Sequence, residues 1–69
     1  MHITQLFGEN VRSARKKQQL SQDDLADKCG LHRTYIGAVE RGERNITLIN
    51  AEKIAGALQI SLSKLVSPP

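Results

Sequence analysis

Tryptophan is absent from this chain, and phenylalanine and tyrosine occur once each, so aromatic side chains make up only 3% of its 69 residues. Leu, Ile, Val and Ala must therefore fill the core, and they supply most of the 39% hydrophobic share. The sole cysteine, Cys29, excludes an intrachain disulfide and with it the disulfide-stapled small domains. It falls where an apolar residue is wanted, which reads as a small buried hydrophobe rather than a redox sensor. Both prolines stand at the end, Pro68 and Pro69, so no helix is interrupted before them. No apolar run approaches the ~20 residues that cross a bilayer. The first residues also lack a basic-then-apolar export signal, so a cytoplasmic location and no membrane contact are expected. Paired carboxylates, metal-ligand clusters and an activated nucleophile are missing as well, so neither catalysis, a metal nor a cofactor is expected.

What remains is one short, basic, aliphatic domain, residues 1–69. A chain of this size buries a limited fraction of its surface, and dimerisation is a common remedy. Ten Lys and Arg against seven Asp and Glu give a net charge of +3 and a pI near 9.4. That balance suits a polyanionic partner.

No alternation is long enough for a sheet, and helical spacing recurs throughout, so the fold class is all-α with five helices. The first is predicted from about Thr4 to Gln18, on Ile3, Phe7, Val11 and Ala14. Ser21 caps the second, and Asp24 three residues on completes a capping box. The third runs from about Arg33 to Arg41 and stops at Gly42. Thr47 caps the fourth, with Leu48, Ala51, Ile54, Ala55 and Leu58 in one stripe, and Ser61 opens a short fifth helix through about Val66.

The decisive stretch is QDDLADKCGLHRTYIGAVER, Gln22 to Arg41. Two short helices meet at Gly30, a residue able to leave the first helix with positive φ. Ala26 is small where the helices would cross, and Leu25, Cys29, Leu31, Ile36 and Val39 clamp the pair. Those requirements describe a helix-turn-helix over about residues 21–41, the unit that lays its second helix in the DNA major groove. On a helical wheel Ile36 and Val39 point to the core, while Arg33, Thr34, Gly37, Ala38 and Arg41 share an arc about 140° wide on the other side. Arg33 can fork onto guanine O6 and N7, and Thr34 can meet a base edge or a thymine methyl. Gly37 invites a close approach of the bases, with Ala38 offering a methyl. Phosphates would be held by the amide end of the second helix at Gln22, by Tyr35 and Arg41, and by Arg44 and Asn45 in the following loop.

This spacing of Ala26, Gly30, Ile36 and Val39 resembles the phage-repressor and Cro-like helix-turn-helix family. FGENVRSARKKQQLSQDDLA looks like the family's first two helices and NITLINAEKIAGALQIS like its last two. The run HRTYIGAVERGERNITL is most similar to the small controller proteins of restriction–modification genes. The resemblance implies base reading from Arg33, Thr34 and Ala38, a phosphate contact and a brace at Gln22, and a partly buried ion pair between Arg15 and Glu40. It also implies a choice for Asp23, Asp24 and Asp27 on the outward face of the second helix: a plain acidic first turn, or a contact with RNA polymerase.

The function expected is a double-stranded DNA-binding transcriptional regulator, a homodimer on a pseudo-palindromic operator with half-sites about 34 Å apart. Its dimer contact is expected over about residues 60–67, from Ile60, Leu62, Leu65 and Val66 with Ile49 nearby. No effector domain is read in these residues, so no small-molecule effector is expected, and autoregulation fits. A protein-interaction module or antitoxin of the same fold is the alternative.

Overall fold

Phe7, Val11 and Ala14 recur at helical spacing, and the segment that carries them is α1 (Ile3–Lys17) in a computed structural model that describes residues 2–69. His2 caps α1, its ring nitrogen accepting from the Thr4 N–H at 3.3 Å, a role with no signature in the sequence. The second helix, α2 (Gln22–Cys29), opens on the full capping box. The Ser21 hydroxyl accepts from the Asp24 N–H at 2.9 Å and the Asp24 carboxylate from the Ser21 N–H at 2.8 Å. Those bonds hold the Asp24 carboxyl below the usual range, the Ser21 backbone donor first and its hydroxyl second.

At the far end of α2, Gly30 takes φ +70°, and the Leu31 N–H closes back onto the Ala26 carbonyl at 3.0 Å. An added Cβ would meet nothing within 4 Å there, so glycine is required for the left-handed turn and not for space. The chain continues into α3 (Arg33–Glu40), α4 (Leu48–Leu58) and the single turn α5 (Leu62–Leu65). Thr47 caps α4 by accepting from the Asn50 N–H at 3.0 Å. Among the described residues there is no strand.

The core is aliphatic, as the shortage of aromatics requires. Phe7 and Val11 of α1 meet Leu25, Ala26 and Cys29 of α2, Ile36 and Val39 of α3, four residues of α4 and Leu65 of α5. α1 packs against α3 and α5, while α2 packs against α3 and α4. Gly8 decides how close α1 and α3 come: it is buried, and a Cβ there would run into the backbone carbonyls of Val39 and Glu40.

One apolar expectation is corrected. Leu65 is only 1% exposed and belongs to the protomer's own core, while Ile60 and Leu62 pack half-buried against it. The cause is a long-range tie: Asn10 Nδ2 donates to the carbonyls of Leu65 at 2.9 Å and Ser67 at 2.8 Å, drawing the C-terminal turn onto α1. Of the predicted dimer set Val66 stays exposed, at 40%, as does the neighbouring Ile49, at 70%. Ile3 and Leu48 follow their helices' periodicity, yet they are 53% and 80% exposed because each opens the first turn of its helix, past the edge of the core.

Gly8→Ala must push α1 away from the end of α3, an overpacking that destabilises by about 1–3 kcal/mol. Urea unfolding followed by circular dichroism should show the midpoint fall with the m-value unchanged.

Candidate nucleic-acid interface

The second helix of the pair, α3, is seated by its back. Ile36 and Val39 are 0% and 2% exposed, whereas Arg33 and Thr34 at its first turn lie in solvent. Ala38 is half-buried on the same side, and Arg41, Arg44 and Asn45 are exposed beyond the helix end. Five of the predicted contact residues, Arg33, Thr34, Arg41, Arg44 and Asn45, are therefore exposed along the strip of chain formed by α3 and the loop after it, with Ala38 half-buried.

Gly37 differs from its expectation. It is buried, and an added Cβ would meet Arg41 Nη1 at 3.2 Å and the Gln22 amide at 3.6 and 3.7 Å. Its missing side chain makes room for Gln22 and Arg41 to fold across α3 rather than leaving an open floor for a base.

Gln22 is half-buried for the same reason, and its Nε2 donates to Glu40 Oε1 at 3.2 Å. Glu40 also takes both arms of Arg15, Nε to Oε2 at 2.6 Å and Nη2 to Oε1 at 2.9 Å. The third Arg15 nitrogen donates to the Leu20 carbonyl at 2.8 Å. Arg15 and Glu40 are each 8% exposed, so this bidentate pair is largely out of water, where charge-assisted bonds are strongest. The hydrogen bond to Glu40 raises the Arg15 pKa against the opposing effect of burial. No buried side-chain nitrogen or oxygen among the described residues is left without a partner.

Two exposed pairs border the strip. Asp23 stands 3.6 Å from Arg33, and Glu43 stands 3.1 Å from Arg41. Such surface pairs contribute about 0–1 kcal/mol and are easily exchanged for phosphate. Asp24 is occupied by the capping box, while Asp27 is exposed. The capping box uses the N–H groups of Ser21 and Asp24, so the open donors of α2 are those of Gln22 and Asp23.

Tyr35 is held more firmly than the sequence foretold. Asn50 Nδ2 donates to its hydroxyl at 3.2 Å, and the Arg44 guanidinium lies 4.9 Å from the centre of its ring. Asn50 was missed because it lies fifteen residues from Tyr35 in another helix, and neither residue's local pattern marks the contact. Cys29 is buried and donates weakly to the Ala26 carbonyl at 3.7 Å. Burial pushes its thiol pKa up, so it stays protonated and packs as a small apolar group. His32 precedes α3 without a side-chain capping bond.

A short helix pinned by its apolar back, showing Arg and Thr in front and set by a capped helix across a glycine turn, defines a helix-turn-helix DNA-binding transcription regulator. The sequence profile of the helix-turn-helix family matches residues 11–65, and the chain belongs to that family. Among its relatives, control protein C.SmaI of Serratia marcescens is 52% identical over 67 residues, covering 97% of this chain and 80% of its own. The crystal structure of the restriction–modification controller protein C.AhdI from Aeromonas hydrophila superposes with a TM-score of 0.87 at 45% identity, over 90% of this chain and 94% of that one. SinR, the master regulator for biofilm formation, solved in complex with DNA, superposes with a TM-score of 0.84 at 27% identity, over 88% of this chain and 98% of that one.

Glu40→Ala would strand the Arg15 guanidinium in a mostly buried site and release Gln22, a loss of about 3–5 kcal/mol. The double change Arg15→Met with Glu40→Leu should recover much of it, because no lone charge remains. Chemical denaturation of the single and double variants compares the two.

Proposed function

We propose that this chain regulates transcription by binding a pseudo-palindromic DNA operator as a homodimer, in the manner of a restriction–modification controller that acts on its own promoter. The observation that carries the reading is the division of α3: Ile36 and Val39 are buried, while Arg33 and Thr34 are exposed. Arg33, Thr34 and Ala38 read base edges in the major groove. Gln22, Tyr35, Arg41, Arg44 and Asn45 hold the sugar–phosphate chains on either side and set the register. The +3 charge favours that partner. The relatives, a control protein and a regulator solved on DNA, point the same way.

Size supports the dimer. One protomer carries a single α3 and spans at most 28 Å, so two half-sites about 34 Å apart take two copies. The surface left for a second copy is the exposed apolar set Leu48, Ile49 and Val66, of which Leu48 and Val66 line a groove of about 420 Å³ together with Ile3 and Phe7. Asp27, exposed on α2, would face outward from the bound dimer, where RNA polymerase could meet it.

Arg33→Ala should weaken binding by about 1–3 kcal/mol and flatten preference at one base pair of an operator obtained by in vitro selection. Arg44→Ala should weaken every sequence alike and reduce the salt slope by about one. Binding isotherms on single-base operator variants at several salt concentrations decide between them, and an equal loss on all sequences for Arg33→Ala would remove that residue from base reading.

Leu48→Asp should give a folded monomer, since its side chain is 80% exposed, whereas Leu65→Asp should unfold the protomer. Sedimentation equilibrium with circular dichroism reads both. A Leu48→Asp protein that remains dimeric would put the interface elsewhere.

A further inference from the structure

Tyr35, Arg44 and Asn50 form a cluster that joins the recognition helix, the loop after it and the start of α4. Asn50 Nδ2 donates to the Tyr35 hydroxyl at 3.2 Å, filling one of its lone pairs. A phenol has a single proton, and a hydroxyl that accepts from Asn50 keeps that proton free for another acceptor. The Arg44 guanidinium rests over the same ring, 4.9 Å from its centre. Asn50 is itself fixed: it is half-buried, its N–H donates to the Thr47 hydroxyl at 3.0 Å, and Ala51 beside it is in the core. The ring is thus held at its edge by a residue anchored in α4 and covered on one face by a cation.

We propose that Asn50 is a positioning residue for DNA binding. It turns the Tyr35 hydroxyl proton outward to a phosphodiester oxygen, beside the Arg44 guanidinium as a second donor to the same strand. Asn50 makes no contact with DNA in this arrangement and acts through Tyr35. Ordering these donors before binding removes rotamer freedom that would otherwise be lost on the DNA. The inference rests on the DNA-binding reading and adds a residue that neither composition nor the local motif marks.

The test is a double-mutant cycle on the full chain with the selected operator, using Tyr35→Phe, Asn50→Ala and both together. Tyr35→Phe should weaken binding about tenfold per half-site, the scale of one hydrogen bond to a charged acceptor. Asn50→Ala should weaken it about threefold to tenfold alone and by less than about twofold in the Tyr35→Phe background. Both side chains are uncharged, so neither change should move the salt slope, unlike Arg44→Ala. Melting temperatures taken alongside separate binding from folding. Equal losses from Asn50→Ala with and without the Tyr35 hydroxyl would overturn the proposal in favour of a direct contact. A fall in the salt slope for Asn50→Ala would overturn it too, by making Asn50 a support for Arg44. Full affinity in Tyr35→Phe would remove the hydroxyl from the grip while leaving DNA binding intact. A wild-type chain that binds no selected sequence would refute the DNA reading itself, and this inference with it.

Discussion

Glu40 closes α3 with a carboxylate that accepts two hydrogen bonds from Arg15 of α1 and one from Gln22 at the start of α2, and the attitude of the recognition helix depends on that junction. The apolar contacts of Ile36 and Val39 hold α3 against the core, but hydrophobic packing is not directional. Hydrogen bonds of 2.6 to 3.2 Å between planar groups are directional, so they fix how far α3 is rotated and how it is set against α2. Gly8 and Gly37 serve the same junction by absence. One lets α1 touch the backbone at the end of α3, and the other lets Gln22 and Arg41 fold over it.

A second consequence is a surface whose charges can be re-partnered. The buried Arg15–Glu40 pair is committed to the fold, whereas Arg33 and Arg41 pair only with exposed neighbours, Asp23 and Glu43. Solvent screens such pairs, so exchanging a carboxylate for a phosphate is cheap. Among the described residues every buried side-chain nitrogen and oxygen has a partner, while the face proposed to meet DNA keeps its cations exposed. Tyr35 stands between these regimes, half-buried and tied to α4 through Asn50.

Much of this was legible without coordinates because the signals are local. The Ser21–Asp24 capping box, the Gly30 turn, the Thr47 cap and the inward pair Ile36 and Val39 involve residues within a few positions of one another, and all lie where the pattern put them. The Arg15–Glu40 pair crosses twenty-five residues and was reached only through family resemblance. Periodicity placed Ile3 and Leu48 on the apolar faces of their helices, but it identifies a face and not how far along that face the core extends.

The sequence by itself determined five helices, the turn at Gly30 and the exposed front of α3, since caps, glycine conformations and 3.6-residue spacing act within one helix or between adjacent ones. Only the tertiary structure decided that Leu65 belongs to the core, that Gly37 lies under Gln22 and Arg41, and that Asn50 holds Tyr35. Each of those depends on where distant segments come together. Asn10 reaches α5 across fifty-five residues, and Asn50 reaches α3 across fifteen. Apolar and amide side chains occur both inside and at the surface, and local spacing alone does not say which place each takes.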